Sequence, residues 1–437
     1  MIRIMDVDTA RKTILRRKQF NQKQYSANTL RTTEEYFGMG MTPPMAVEKI
    51  LETVEKEGDK AVRRWSSLLD GFEGENKKVP ASSLKAAWEE MPVTTKEALQ
   101  LAKDRITEFH SLQPVSSWTT QKMGGKIGQR VTPINSVGVY VPGGTAPLPS
   151  SLLMSVIPAQ AAGVENIIVA TPPPANASIL AAAYLCEIDA VFQVGGAQAI
   201  AALAFGTESV PCVNKIVGAG NLFVTLAKQQ LFGLVGLDGL AGPTETMIIA
   251  DDTANPDWVA ADLLAQAEHD VIATAILLTP SSGIANKVQK QIPQQVKNLS
   301  RKKMIIESLN NNGGIVLTES LEQAAALANE YGAEHLCLSV KNPRELMEKI
   351  NNAGGFFLGD HSFEVLGDYV AGPSHVMPTG GTARFASPLN VFDFVKISGV
   401  VSLDGATAQS ISAYAAELAE LEGLPAHAAA AKARMEV

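Results

Sequence analysis

Cysteine is scarce in this chain: Cys186, Cys212 and Cys337 are the only three in 437 residues. Their wide spacing offers neither a CxxC pair nor a disulfide framework. That points to a reducing compartment, with the cytoplasm as the default location. Aromatic residues make up only 6% of the chain, whereas alanine, glycine and valine abound, a composition that suits close packing of helices on sheets. No apolar run reaches the roughly 18 uncharged residues that a membrane helix needs. The first residues alternate charged and apolar side chains, unlike a signal peptide. Basic residues do not cluster beyond the short run Arg11 to Lys18, and the net charge is −8. Membrane insertion and nucleic-acid binding therefore find no support.

What is present is a layered α/β pattern long enough for two or more domains. Residues 1–35 are polar with mixed charge and read as an N-terminal helical arm. Apolar residues at helical spacing follow over Pro43 to Leu69 and Ser83 to Phe109. At Ser136 the texture changes to short apolar runs alternating with alanine-rich helices, the signature of βαβ units and parallel sheets. One such series spans residues 137–243. A second follows from Met247 to Leu358, and the end of the chain reads as a helical tail. The expected organisation is an arm (1–35), a discontinuous α/β domain (36–136 plus 244–389), an inserted α/β domain (137–243) and a tail (390–437).

Four of the six histidines, His269, His335, His375 and His427, fall in polar, turn-like or helix-terminal settings. Gln266 and His269 lie three apart and share a helical face, where an amide oxygen and an imidazole can ligate a metal. A helix end at which His269 caps carbonyls accounts for the same pattern. Glu334-His335 sets a carboxylate beside an imidazole, as proton transfer near neutral pH requires. Neighbours on a regular strand point to opposite faces, so joint action needs a bulge or turn, and a strand entry with one solvated residue is the alternative. Asp368 and His375 flank the turn Gly372-Pro373. Asp368 suits either a zinc ligand or a turn cap. Glu422 and His427 bracket a Gly-Pro break, which alone reads as a surface turn.

No GxGxxG opens the first α/β region, so the usual dinucleotide fingerprint is missing. Instead Pro142-Gly143-Gly144, Gly195-Gly196 and Gly218-Ala219-Gly220 each follow a strand. Glycines there allow a ligand to approach the backbone closely, and three at one end of a sheet suggest a crevice. The cysteines sit in ordinary settings, with no base beside Cys212 and an apolar helix around Cys186. They argue against a covalent thiohemiacetal, and only Cys337, close to Glu334-His335, merits a test.

Taken in order, these segments resemble the histidinol dehydrogenase family from Val137 to His427, most of the chain. The resemblance is carried by Val137-Gly138-Val139-Tyr140-Val141-Pro142-Gly143-Gly144, Gly195-Gly196-Ala197-Gln198-Ala199-Ile200 and Asp262-Leu263-Leu264-Ala265-Gln266-Ala267-Glu268-His269. Gly367-Asp368-Tyr369-Val370-Ala371-Gly372, Pro378-Thr379-Gly380-Gly381-Thr382-Ala383-Arg384 and Glu422-Gly423-Leu424 add to it. It implies zinc held by Gln266, His269, Asp368 and His427, with Glu334 and His335 in catalysis. It also implies substrate contacts at Thr244, His375 and Glu422 besides His335 and the zinc ligands, and NAD contacts at Tyr140, Gln198 and Asn221. The fold would be two Rossmann-like parallel-sheet domains lacking GxGxxG. The assembly would be a homodimer whose tail crosses to complete the other subunit's site.

The implied reaction oxidises L-histidinol to L-histidine with two NAD, the last steps of histidine biosynthesis. Departures from the family pattern are Thr244 where Ser is common, Ala219 for Pro, Ser374 for Asn, and Cys337 for an acidic residue or Gln. They leave open a paralogue that oxidises another polar alcohol, such as a sulfonated diol, whose sulfonate would need cationic or helix-terminal donors, Arg384 or Lys396 being candidates if either lines the pocket. A zinc-stabilised binding protein without turnover is a further alternative.

Overall fold

The computed structural model describes residues 2–17, 25–74, 78–143 and 147–435. It divides into two compact units. One joins Met1–Leu112 to Asn135–Asp393, and the other joins Gln113–Ile134 to Phe394–Val437.

The first unit holds two parallel sheets. The five-stranded sheet runs in the order Val191–Gln193, Asn166–Thr171, Ser136–Tyr140, Lys215–Val217, Gly236–Leu237. Its core strands are apolar on both faces because helices cover both sides. The chain starts at the central strand, builds outward on one side, then returns to build the other. The strand order therefore reverses between Ser136–Tyr140 and Lys215–Val217. Helices Pro43–Glu57 and Asp59–Asp70 bury Ile50, Val54, Val62 and Trp65 against Ile168, Phe192, Ile200 and Leu203 of this layer. Helices Ala81–Glu90 and Val93–Ser111 pack on its helices Ala177–Leu185 and Pro149–Ala161. The stretch 36–136, expected to belong with the second α/β region, thus covers the first sheet over residues 43–111. Helical spacing reveals a buried face but not which sheet the face meets.

The six-stranded sheet repeats the same winding. Its order is Ile4–Asp6, Gly314–Leu317, Thr274–Thr279, Glu245–Ala250, Ala333–Ser339, Ala353–Leu358, with all neighbours parallel. Every residue of the two strands Glu245–Ala250 and Ala333–Ser339 is buried. Two parallel α/β layers are therefore present, as the sequence indicated. The N-terminal arm is helical at Val7–Lys12 and Ala27–Phe37, with residues 18–24 outside the described residues. It is also more than an arm. Ile4–Asp6 adds an edge strand, and Ile2 and Ala10 are fully buried. A three-residue strand is too short for alternation to announce it.

The second unit is an antiparallel sheet, Val395–Ser402 beside Lys126–Pro133 beside Trp118–Thr120, with helices Gly405–Leu421 and Pro425–Lys432 packed on each other. The tail is helical as expected, but it opens with a strand. Lys396, Ser398 and Gly399 interrupt the apolar pattern that would have marked that strand. Among the described residues, no helix is long and apolar enough to cross a membrane.

A buried ion pair fixes the turn after Lys215–Val217. Lys228 Nζ donates to the Gly218 carbonyl at 2.9 Å and pairs with Asp238, and Asp238 Oδ2 accepts from the Gly218 N–H at 2.7 Å. Lys228→Met leaves Asp238 buried without its cation, which costs about 3–5 kcal/mol. The expected outcome is a thermal midpoint well below wild type, and a smaller loss when Asp238→Asn is added. Equal midpoints for Lys228→Met and wild type would refute this account of the turn.

Candidate active site

A pocket of 180 Å³ draws its walls from both sheets of the first unit. Gly218 and Ala219 line it from the carboxyl end of Lys215–Val217. Thr244, Glu334 and His335 line it from the amino ends of Glu245–Ala250 and Ala333–Ser339. His269, Asp368 and His375 add further titratable groups to the lining, beside Ser150, Ser151 and Thr379. The glycine at 218 is obligatory. Its φ is +104°, and a Cβ there would sit 2.2 Å from the Tyr140 carbonyl oxygen.

Glu334 and His335 are both buried, at 7% and 4% exposure, so neither is the solvated strand entry that the sequence left open. They converge on one backbone segment without a bulge. The parallel register sets His335 opposite Thr246, and the backbone of Glu245 serves both side chains. Glu334 Oε2 accepts from the Glu245 N–H at 2.9 Å and from the Thr244 hydroxyl at 2.7 Å. His335 Nδ1 lies 3.3 Å from the Glu245 carbonyl and 3.7 Å from Glu334 Oε2. A carbonyl only accepts, so Nδ1 carries a proton. Nε2 is left buried without a hydrogen-bond partner, 3.6 Å from Asp368 Oδ1.

Burial pushes the Glu334 carboxyl up to about 7, against the pull of His335. Burial alone would lower His335, but the charges of Glu364, Glu334 and Asp368 outweigh it and raise the ring to about 10. Asp368 is held below its ordinary range despite burial, by its contact with His335. His375 Nδ1 faces the Asp368 carbonyl at 2.7 Å and its Nε2 faces the Ser151 hydroxyl at 3.2 Å, which fixes both His375 and the backbone beside Asp368.

Of the four expected metal ligands, His269 and Asp368 line this pocket. Gln266 is fully buried behind Thr244. With its amide turned to satisfy its neighbours, the oxygen accepts from the Glu245 N–H at 2.8 Å and lies 2.8 Å from Thr244 Oγ1, and the nitrogen donates to Glu364 Oε1 at 2.8 Å. His427 is exposed on Pro425–Lys432 of the second unit, and Glu422 caps Gly405–Leu421 there. Among the described residues, no three His, Cys, Asp or Glu side chains group closely enough to hold a metal.

The chemistry of the set nonetheless fits a divalent cation. Burial lowers the His269 pKa and so favours the neutral imidazole that a metal needs, beside an ionised Asp368. Among the described residues, the carboxyls of Glu245, Glu334, Glu364 and Asp368 form ion pairs only with Arg17 and His335.

The expected NAD contacts all lie at the carboxyl end of the five-stranded sheet. Tyr140 is buried and its hydroxyl accepts from the Gly196 N–H at 3.1 Å. Gln198 is buried and donates to Asp70 at 2.9 Å, while its Oε1 has no partner. Asn221 is exposed and caps Leu222–Leu231. Gly144 lies outside the described residues.

The sequence reading missed Glu364 and Glu245. Glu364 is buried, accepts from the Thr246 hydroxyl and lies 3.9 Å from His335 Nδ1. Its position four before Asp368 on Glu364–Tyr369 was the available signal, since i and i+4 share a helix face. Glu245 was announced only by a charge opening an apolar strand.

With this geometry in hand, comparison with known proteins is decisive. The histidinol dehydrogenase family model matches residues 42–435. The chain belongs to the histidinol dehydrogenase family. It is 48% identical to histidinol dehydrogenase of Aquifex aeolicus over 391 residues, covering 89% of this chain and 92% of the relative. It is 47% identical to that of Thermus thermophilus over 406 residues, covering 92% of this chain and 98% of the relative. The crystal structure of histidinol dehydrogenase from Elizabethkingia anophelis superposes with a TM-score of 0.90 at 34% identity, covering 100% of this chain and 98% of that one. As a member of the histidinol dehydrogenase family, the protein is a dehydrogenase.

No cysteine lines the pocket among the described residues. Cys337 and Cys186 are buried thiols pushed up by that burial, Cys186 to about 12. Of the departures from the histidinol dehydrogenase pattern, Thr244 and Ala219 line the pocket. Ser374 is buried with its hydroxyl on the Met154 carbonyl at 3.0 Å, and Cys337 is in the core.

Thr244 holds Glu334 by a hydrogen bond to a carboxylate, worth about 1.5–3 kcal/mol. Thr244→Val should therefore lower kcat roughly tenfold or more, and Thr244→Ser should restore it. Steady-state rates of both variants check this, and a fully active valine variant would remove Thr244 from the machinery.

Proposed function

We propose that the protein oxidises L-histidinol to L-histidine through L-histidinal, with zinc and two NAD, as the closing steps of histidine biosynthesis in the cytoplasm. The observation that carries this reading is the buried Glu334-His335 pair in a pocket lined by carboxylates and imidazoles. No Lys or Arg lines it among the described residues. Such a wall suits a substrate bearing an ammonium and an imidazole. A sulfonate needs cationic or helix-terminal donors, and Arg384 instead donates to the Gly381 carbonyl at 2.9 Å. That favours histidinol over the sulfonated-diol reading.

His269 and Asp368 would hold zinc, with Gln266 and His427 completing the set, His427 coming from a second copy in a homodimer. Bound zinc would orient the alcohol, offset the surrounding carboxylates and so ease the proton from His335, while NAD would accept a hydride in each of two oxidations. His335 Nε2 takes the hydroxyl proton as the alcohol becomes the aldehyde. Glu334, raised by burial, takes a proton from the water that attacks the aldehyde. His335 returns its proton to the aldehyde oxygen as the hydrate forms, and is then free to take a hydroxyl proton from the hydrate as it becomes the acid. Thr244, His375 and Glu422 orient the substrate, and Tyr140, Gln198 and Asn221 border the dinucleotide.

Two NADH should form per L-histidinol consumed. General acid–base groups contribute about 10²–10⁴-fold. Glu334→Gln should slow the second oxidation more than the first, and His335→Asn should slow both, with bound zinc retained. A wild-type yield of one NADH, or no turnover of L-histidinol, would overturn the assignment. Unchanged rates in both variants would remove Glu334 and His335 from the acid–base machinery.

A further inference from the structure

Arg17 stands in the N-terminal segment, ahead of the residues that the family model matches. It is partly buried, with 26% of its side chain exposed, and every partner it has lies next to the reacting groups. Nη1 and Nη2 meet the two oxygens of Glu245, the Nη2 contact at 3.0 Å. Nε donates to the Tyr331 carbonyl at 3.0 Å, and Nη2 donates to the carbonyls of Tyr331 at 2.6 Å and Gly332 at 3.0 Å. The guanidinium also lies 3.5 Å from the centre of the Tyr331 ring.

These contacts converge on the two segments that fix the reacting pair. Tyr331 and Gly332 end the helix Leu321–Tyr331, and the chain passes directly from them into Glu334-His335. Glu245 grips that pair with its own backbone, N–H to Glu334 and C=O to His335. Its carboxylate is buried and pairs with Arg17, so without Arg17 it would be left in a dry interior without its cation. A charge stranded in that way is relieved by protonation or movement. A planar fork that bonds a carboxylate in bidentate fashion and three further carbonyl contacts is a geometry that Lys cannot reproduce.

We infer that Arg17 is a positioning residue for Glu334 and His335, acting through the Glu245 carboxylate and the carbonyls that precede the pair. The N-terminal segment thereby becomes part of the working enzyme rather than a peripheral arm. The inference rests on the assignment of Glu334 and His335 as the reacting pair.

Three variants of the full-length protein test it: Arg17→Met, Arg17→Lys and Arg17→Met combined with Glu245→Gln. A misplaced reacting pair commonly costs on the order of 10²-fold. For Arg17→Met we expect kcat to fall about tenfold or more, KM for L-histidinol and NAD to stay within about twofold, and zinc content to hold. Arg17→Lys should recover only part of the rate. The double variant should be no slower than Arg17→Met, because both changes cut one path.

A readout independent of substrate is the ring ¹⁵N signal of His335 in histidine-labelled protein, assigned by its loss in His335→Asn. It should move in both single variants while the His361 and His427 signals stay put. If the wild type fails to oxidise L-histidinol, the functional reading falls and the His335 signal still decides the role of Arg17. A folded Arg17→Met or Arg17→Lys protein with kcat within twofold of wild type, or with an unmoved His335 signal, overturns the inference.

Discussion

Parallel pairing of Glu245–Ala250 with Ala333–Ser339, in the register that sets Thr246 opposite His335, is the constraint on which the site depends. A slip of one residue would turn every side chain of one strand to the other face. It would also part Glu334 and His335 from the Glu245 backbone. Both strands are buried throughout, so the register is enforced by the core on either face and not by the site itself. A Cβ at position 354 would come 2.5 Å from the Glu334 carbonyl oxygen, so Gly354 on the next strand is what lets the sheet close around that residue. Glu334 and His335 thus sit on a sheet whose two strands here are buried along their whole length.

The pocket breaks the rule that parallel sheets bind ligands only beyond their carboxyl ends. The five-stranded sheet obeys it, presenting Gly218 and Ala219. The six-stranded sheet contributes from its amino ends, through Thr244, Glu334 and His335. The two layers therefore meet head to tail, with glycine turns on one side and titratable groups on the other. Burial does most of the electrostatic work there. It raises Glu334 and lifts Glu364 to about 7 beside it, while the carboxylates together raise the imidazole they surround.

Much of this was legible in the residues. Short apolar runs alternating with alanine-rich helices gave both parallel layers, and Glu334-His335, Asp368 and His375 do share one pocket. What stayed hidden has identifiable causes. The three-residue strand Ile4–Asp6 is too short to show a period, and Val395–Ser402 is broken by polar residues. The helices of residues 43–111 display a buried face without naming the sheet it meets. Glu245 and Glu364 look like ordinary charges until the register brings them to His335. The convergence of adjacent strand residues, which simple alternation would forbid, comes from one backbone serving both.

The strand Lys126–Pro133 sits in the middle of its antiparallel sheet, yet its longer neighbour, Val395–Ser402, lies about 260 residues further along the chain. At ribosomal speeds of roughly 5–20 residues per second, this strand is made about 10–50 s before its mate exists. For that interval one edge of a nascent ribbon stands open. Lys126 and Arg130, charged side chains on that strand, are the type of residue that discourages pairing with strangers while it waits. A stretch made about 260 residues later is thus the one that closes this sheet.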